Sequence, residues 1–332
     1  MYGFKVLFVL ISMLMISCVT GYDQDQDQTS SVMRQAMSTE IDVLKAKSEM
    51  LDYLTEENCT IDDELRVSLG LSIGDQFRLT VKNDSSRYGF VTIDRDYEDG
   101  SDNDDIRMRL SGRQRFNESD SFDAYIEKWT PYTDKTDTWL NENDEFGEFL
   151  EETSSTHSEV VFCAPHGGAI ESYTDEMAQY AQAKMEDLSK ESSAWYCIGH
   201  QDEIGAYDAW HVTSTAISRN IFFLLNQIGD REFDYAVSFH GYSEADIAIG
   251  GGASSTLKNE VKAAIEAVVG SAYDVTVVSS GPYAGVDEDN FVNWLTNGGA
   301  GGVQIELPYG ARQTYGQSIA EAVATVFANK QS

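Results

Sequence analysis

Basic residues are scarce in this sequence. Its 332 residues hold 23 Lys and Arg against 56 Asp and Glu, a formal net charge of −33. A surface of that sign repels phosphate backbones and anionic headgroups, so nucleic acid and an anionic membrane surface are excluded as partners. The same excess raises self-repulsion, which concentrated salt screens. A high-salt, halophilic setting is therefore expected. Long apolar runs are also lacking. The N-terminal one, Val6 to Val19, falls short of the roughly 20 residues a membrane span needs. With one lysine before it, residues 1–22 read as a signal peptide, which puts the mature protein outside the cell or on its surface. Cys18 follows "LMIS", close to a lipoprotein cleavage pattern. Lipid anchoring at Cys18 and loss of Cys18 with the peptide both stand.

Cysteine is rare too. Cys59, Cys163 and Cys197 remain, at spacings that match no zinc ribbon or finger. Cys163 and Cys197 each end an apolar run, so buried free thiols are expected. A disulfide between neighbouring strands is the alternative in an exported protein. No G-x-S-x-G elbow occurs, which counts against a serine hydrolase. "AIGGGASSTLK" lacks the Walker lysine spacing and the dinucleotide pattern, and reads as a strand-to-helix turn capped by Ser254 or Ser255.

Hydrophobic residues make up 42% of the chain, enough for a sizeable core. Residues 23–62 open with the polar "YDQDQDQTSS". There follow Met33, Met37, Ile41, Leu44, Leu51 and Leu54 at spacings of three, four or seven, which predict an amphipathic helix. Over residues 63–116 the period becomes two, as in "QFRLTV" and "IRMRL", so a small all-β, barrel-like domain is expected. Its loop "DRDYEDGSDNDD" fails the calcium-loop pattern, because Asp99 stands where glycine is needed. Sequons at Asn58, Asn83 and Asn117 matter only in a glycosylating host.

Residues 117–332 form the third part. Its acidic first stretch, to Thr156, reads as a connection between the domains that covers part of the second. Beyond it strand and helix patterns alternate, the mark of an α/β layer fold. Expected strands are Glu159–Ala164, Ala194–Ile198, Phe233–Phe239, Asp246–Gly250, Tyr273–Ser279 and Gly302–Leu307. Expected helices are Thr174–Leu188, Thr215–Ile228, Ser254–Val269, Glu288–Leu295 and Gln313–Ala328.

Two histidines share one local grammar. "VVFCAPHGG" and "YAVSFHG" each run apolar, then His, then Gly. That places His166 and His240 at carboxyl ends of strands, where α/β sheets gather ligands. Glu171 follows His166 by five residues, a spacing that no helix brings onto one face. The two converge only if the chain folds back, which Gly167 and Gly168 permit. A surface glutamate at a helix N-terminus is the competing reading. Two histidines, a carboxylate and an open position make a catalytic zinc set. Glu306, in "GGVQIELPYG", lies on a strand amid apolar neighbours, where a carboxylate is costly unless paired or used. It suits a general base that then acts as acid, with a salt-bridged surface glutamate as the alternative. Three roles are open to His211: substrate contact, rival ligand or packed corner. Arg312 and Arg219 are candidates to clamp a substrate carboxylate.

"APHGGAIE", "WHVTS", "SFHG" and "GGVQIEL", in that order, resemble the poly-γ-glutamate hydrolase family, first associated with phages of bacilli. The resemblance runs from about Glu159 to the C-terminus; a preceding β domain looks like haloarchaeal versions. It implies a mixed sheet flanked by helices, zinc carboxypeptidase-like, behind the small all-β domain. It also implies one Zn2+ held by His166, Glu171 and His240, with Glu306 catalytic. The implied reaction is cleavage of amide bonds in γ-linked glutamate polymers or related glutamyl amides. The alternatives are a zinc amidase for another peptide or N-acyl amino acid, and a non-catalytic polymer-binding surface protein.

Overall fold

The computed structural model describes residues 38–97 and 105–331. The signal-peptide and lipoprotein readings, Met33, Met37 and most of the acidic loop lie outside the described residues. The first part of the described chain is β1 (Thr39–Lys45), β2 (Asn58–Asp62), α1 (Asp63–Ser68), β3 (Gln76–Val81), β4 (Tyr88–Tyr97), β5 (Asp105–Met108), α2 (Leu110–Gln114) and β6 (Phe122–Glu127). Its strands close into a barrel in the order β1-β5-β2-β4-β3-β6. β1 runs parallel to β5 and β2 to β4, while the other pairs are antiparallel. Alternation explains β3: Phe77, Leu79 and Val81 are buried, and Arg78 and Thr80 between them are less so.

The amphipathic helix expected around Ile41 to Leu54 is not there. Thr39–Lys45 is strand β1, and Ser48–Met50 is a single 3-10 turn. Ile41 and Val43 sit inside at a spacing of two. The backbone of β1 pairs with β5 on one side and β6 on the other, partners about 60 to 90 residues away. Tertiary pairing thus overrides a helical spacing to which Ile41 and Leu44 contributed by coincidence. Three barrel strands, β1, β2 and β6, lie outside the 63–116 stretch where the two-residue period is visible.

The second part comprises α3 (Asp137–Glu142), β7 (Phe146–Glu152), β8 (Val160–Gly168), α4 (Thr174–Asp187), β9 (Ser193–Gly199), α5 (Ala206–Trp210), α6 (Phe223–Ile228), β10 (Tyr235–Tyr242), β11 (Ile247–Gly250), α7 (Ser255–Val269), β12 (Val275–Val277), α8 (Phe291–Trp294), β13 (Gly302–Pro308) and α9 (Tyr309–Ala328). One mixed sheet has the order β12-β11-β13-β10-β8-β9-β7. β13, β10, β8 and β9 are mutually parallel, and antiparallel pairings attach β11 and β7. The helix expected from Thr215 forms only from Phe223, because the stretch before it is tied to the barrel by side-chain bonds.

The central strands are apolar at nearly every position because both faces are covered. Along β8, Val160, Phe162 and Ala164 meet the α4 and α9 side chains Met177, Ala178, Val323 and Phe327. Val161 and Cys163 point the other way, into a core shared with Phe77, Phe90 and Ile126 of the barrel. Cys59, Cys163 and Cys197 are buried free thiols. Because β8, β10 and β13 run in parallel, their carboxyl ends lie along one edge, and the candidate residues collect there.

Candidate metal centre and active site

His166 leaves β8 at a bulge. The pairing of β8 with β9 slips between Ala164 and Gly167, which re-aims the side chain at this point. Neither glycine has room for a side chain: a Cβ on Gly167 would meet Cys197 O at 2.4 Å, and Gly168 has a φ of +67°. The turn closes when Glu171 N donates to His166 O at 2.8 Å. Glu171 is thereby folded back, with His166 Nδ1 3.3 Å from its Oε2. The corner is a strand, a glycine turn and the start of α4.

Glu171 is the hub of the site. His240, on β10, places Nδ1 3.7 Å from Glu171 Oε2. His211, the residue after α5, places Nε2 3.7 Å from Glu171 Oε1. Gly241 N also donates to Oε2, at 2.8 Å. Among the described residues, the group whose donor atoms all lie within 4.8 Å of one another is His166, Glu171 and His211. His240, expected from the sequence as the third member, approaches the same carboxylate but falls outside that tight group. His211 points into the group because its Nδ1 donates to Glu57 Oε1 at 2.5 Å, which leaves Nε2 facing Glu171.

Charge and burial compete throughout. Burial would raise the Glu171 carboxyl, but His166 and His240 outweigh it and hold it well below the carboxylate range. Burial would lower His166, and Glu171 reverses that and raises it. His211 is lowered, by burial and then by His166. Burial opposes ionisation of Glu57, yet its bond to His211 holds it at about 2.

Glu306 stands opposite His240 in the β10–β13 pairing. It is 6% exposed, and burial raises its pKa against the pull of His240. Gln304 Nε2 donates to its Oε1 at 2.7 Å, and Asn290 Nδ2 in turn holds Gln304 at 2.8 Å. Arg312 is 7% exposed, with no hydrogen-bond partner at Nε or Nη1. It lies against Gly241, where any Cβ would strike the guanidinium. These residues line one cleft of about 840 Å3 with His166, Glu171, His211 and His240. Arg219 does not join them. It bonds Asp230 at 2.9 Å and Asn226 at 3.1 Å, beside a separate surface cavity. Its sequence neighbourhood, after "HVTST", suggested the cleft, but the irregular segment from Thr213 carries it away.

A metal fits this donor set. The Nε2 of His166 donates to Val212 O at 2.9 Å, which leaves Nδ1 buried without a hydrogen bond and turned to the Glu171 carboxylate. The Nε2 of His240 is likewise buried and unpartnered. Imidazoles with one carboxylate suit zinc. Two participants escaped the sequence reading. Gln304 carried a signal, since it lies two residues from Glu306 and so on the same side of β13. Glu57 carried none, being 154 residues from His211.

The profile of the family described as poly-gamma-glutamate hydrolase matches residues 135–325. Over 180 residues the chain is 30% identical to the UPF0714 protein YndL of Bacillus subtilis (strain 168), which covers 53% of this chain and 63% of YndL. The chain thus spans less than two thirds of that relative. A solved bacteriophage poly-gamma-glutamate hydrolase matches with 20% identity and a TM-score of 0.43, over 55% of this chain and 89% of that one. YndL in an apo, zinc-free form matches with 24% identity and a TM-score of 0.45, over 57% of this chain and 95% of that one.

Proposed function

Since the chain belongs to the poly-gamma-glutamate hydrolase family, we propose that it is an exported zinc hydrolase that cleaves amide bonds of γ-linked glutamate polymers. The observation that carries this reading is the convergence of His166, His211 and His240 on Glu171 in the cleft that also holds Glu306 and Arg312. Zinc would be held by His166 and Glu171 with a further imidazole, and when bound it supplies Lewis-acid polarisation of a carbonyl and acidifies water. Glu306, as carboxylate, takes a proton from water as the water oxygen adds to the amide carbon. It returns that proton to the leaving nitrogen as the C–N bond breaks, giving a carboxylic acid and an amine. Burial and the raised pKa of Glu306 suit both halves of that transfer. Gln304 and Asn290 hold its carboxylate in place. Arg312, buried with Nε and Nη1 free of hydrogen bonds, is set to receive a substrate carboxylate. A γ-linked glutamate chain offers one at every residue.

The substrate is a polyanion and the protein carries −33, so their encounter is opposed in dilute buffer. At ~1 M salt the Debye length is about 3 Å and the opposition is local only. That favours the exported, high-salt setting and a carboxypeptidase-like role outside the cell, free or lipid-anchored. Among the described residues no helix is long and apolar enough to cross a membrane.

The test compares wild type, His166→Ala and Glu306→Gln. Metal content is measured alongside release from poly-γ-glutamate and from small N-acyl amino acids, at low and high salt. Glu306→Gln should keep its zinc and lose turnover by about 10²–10⁴-fold. His166→Ala should lose both. An active, metal-free wild type would sink the reading, and a wild type that cleaves only the small amides would move it to another substrate.

A further inference from the structure

One wall of the cleft is anchored by the barrel. Tyr207, His211, Thr213, Ser214 and Thr215 line it, on the stretch from α5 to α6. Glu57, directly before β2, ties the start of that stretch: it accepts from His211 Nδ1, Thr213 N and Thr213 Oγ1, the last two at 2.7 Å. Gln76 and Asp75 tie its far side. Gln76 Nε2 donates to Ala216 O at 2.6 Å, and Asp75 Oδ1 accepts from Ser218 Oγ at 2.7 Å. On the zinc reading the ligands His166, Glu171 and His240 gather at the carboxyl ends of β8 and β10, and His211 belongs to neither strand. Its ring stacks on Tyr207, with centroids 4.4 Å apart, as part of the wall. A carboxylate only accepts, so the bond to Glu57 puts the His211 proton on Nδ1 and leaves Nε2 an acceptor. Glu171 Oε1, 3.7 Å from that Nε2, is itself an acceptor and too distant to bond it.

We propose that Glu57 is a positioning residue through which the barrel shapes substrate binding: it holds His211 so that Nε2 accepts an amide N–H of the bound chain. A γ-linked glutamate chain presents three polar groups at each residue, a carboxylate, an amide carbonyl and an amide N–H. The carboxylate suits Arg312, and the scissile carbonyl suits a bound zinc. The N–H needs an acceptor, and His211 Nε2 supplies one while serving neither as ligand nor as proton carrier. An imidazole already fixed by Glu57 loses little freedom when the chain binds, which favours affinity. Glu57 lies outside residues 135–325, so the family match does not supply it. The barrel on this account acts on the substrate and leaves the metal to the sheet.

The inference rests on the zinc hydrolase reading above, and the test separates the two. The full chain is compared as wild type, His211→Ala, His211→Gln, Glu57→Gln and the double variant Glu57→Gln/His211→Ala. Zinc dissociation constants come from chelator competition, and kcat and KM from poly-γ-glutamate at high salt. His211→Ala should raise KM by about 3–10-fold, the worth of one hydrogen bond, with kcat and zinc affinity within about twofold of wild type. Glu57→Gln should raise KM in the same way and add nothing in the His211→Ala background. His211→Gln, whose amide oxygen still accepts, should regain most of the lost KM. A wild type that holds no zinc or leaves the polymer intact ends the zinc hydrolase reading, and this inference with it. An unchanged KM in folded His211→Ala overturns only this inference. So does a loss of zinc affinity there of about tenfold or more, which would make His211 a ligand. Nitrogen NMR covers the case in which Glu57→Gln does not fold, using zinc-loaded Glu306→Gln with labelled histidine so that added oligomer stays uncleaved. The His211 signals, assigned by their loss when His211→Ala is added, should show a protonated Nδ1 and an Nε2 that shifts with a γ-linked glutamate oligomer. A protonated, metal-bound or unshifted Nε2 overturns the inference.

Discussion

The two faces of the seven-stranded sheet are covered by different means. On one, α4, α7 and α9 pack Met177, Val261, Ile319 and Val323 onto strands of their own half of the chain. On the other lies an aromatic group assembled from distant sequence: Phe90 from the barrel, Trp129 beyond it, Phe146 from β7, Trp210 from α5 and Phe222 before α6. Phe90 meets all the others, and Trp210 has the ring centroids of Phe90, Phe146 and Trp129 at 5.2, 5.6 and 5.7 Å. Gly89 lets the backbones meet, since a Cβ there would stand 2.4 Å from Ala209 O. The helix-covered face is a fold that one half could specify locally. The barrel-covered face is an interface with the density of a core, and His211 is the residue that directly follows Trp210.

The sharpest way to break that comparison is Trp210→Ala. Loss of a fully buried aromatic of this size costs about 3–5 kcal/mol. If the barrel-covered face is a true core, the denaturant midpoint falls and the melt stays a single transition. Two separated transitions would show the barrel and the sheet to be independent bodies. Glu148→Ala should come next. The β7 carboxylate is fully buried and accepts from Trp195 Nε1, Leu224 N and Leu225 N at 2.8, 3.0 and 2.7 Å. A buried donor left without its acceptor costs about 1–3 kcal/mol, so urea unfolding should register a loss of at least about 2 kcal/mol.

The same contrast explains what was legible in the sequence. Where an element is stabilised by its own half, local pattern suffices: Ile319, Val323 and Phe327 mark α9, and alternation marks β3. The α/β architecture was readable from alternating strand and helix patterns, and the clustering of His166, Glu171, His240 and Glu306 from "HGGAIE", "SFHG" and "GGVQIEL", with Arg312 a candidate just beyond the last. Where an element is held across the interface, local pattern misleads. β1 reads as helix because its partners in β5 and β6 are invisible at a window of eleven residues. Thr215 to Phe222 reads as helix although Asp75 and Gln76 tie it into turns. For the same reason local pattern puts Arg219 in the cleft and gives no hint that Glu57 bonds His211.

A smaller effect lies on the helix-covered face. Asp175, in the first turn of α4, accepts from Gly168 N at 3.0 Å. Burial, then the nearby charge of Glu176, pushes its pKa up to about 7. In the unfolded chain an aspartate titrates near 3.9. The native state therefore binds this proton more tightly. The resulting stability is fully present below about pH 4 and is lost as pH rises through about 7. Asp175→Asn removes the slope, so its Tm relative to wild type should climb between pH 4 and pH 8, by about 2–4 °C per kcal/mol recovered. A constant difference across that range would show that Asp175 is ionised throughout.

The smallest effect is expected on the barrel's solvent side. Arg66 of α1 meets Asp96 of β4 at 2.7 Å, with side chains 21% and 36% exposed. Water screens such a pair, and ordering two side chains offsets most of the attraction, so exposed pairs contribute about 0–1 kcal/mol. Asp96→Asn should lie within that range and shrink further as salt is added. Arg66 also donates to Leu71 O at 3.1 Å, a bond the substitution leaves intact. A loss as large as that of Glu148→Ala would mean that the barrel is held together by its outer charges, and the assignment of its stability to the aromatic interface would fail.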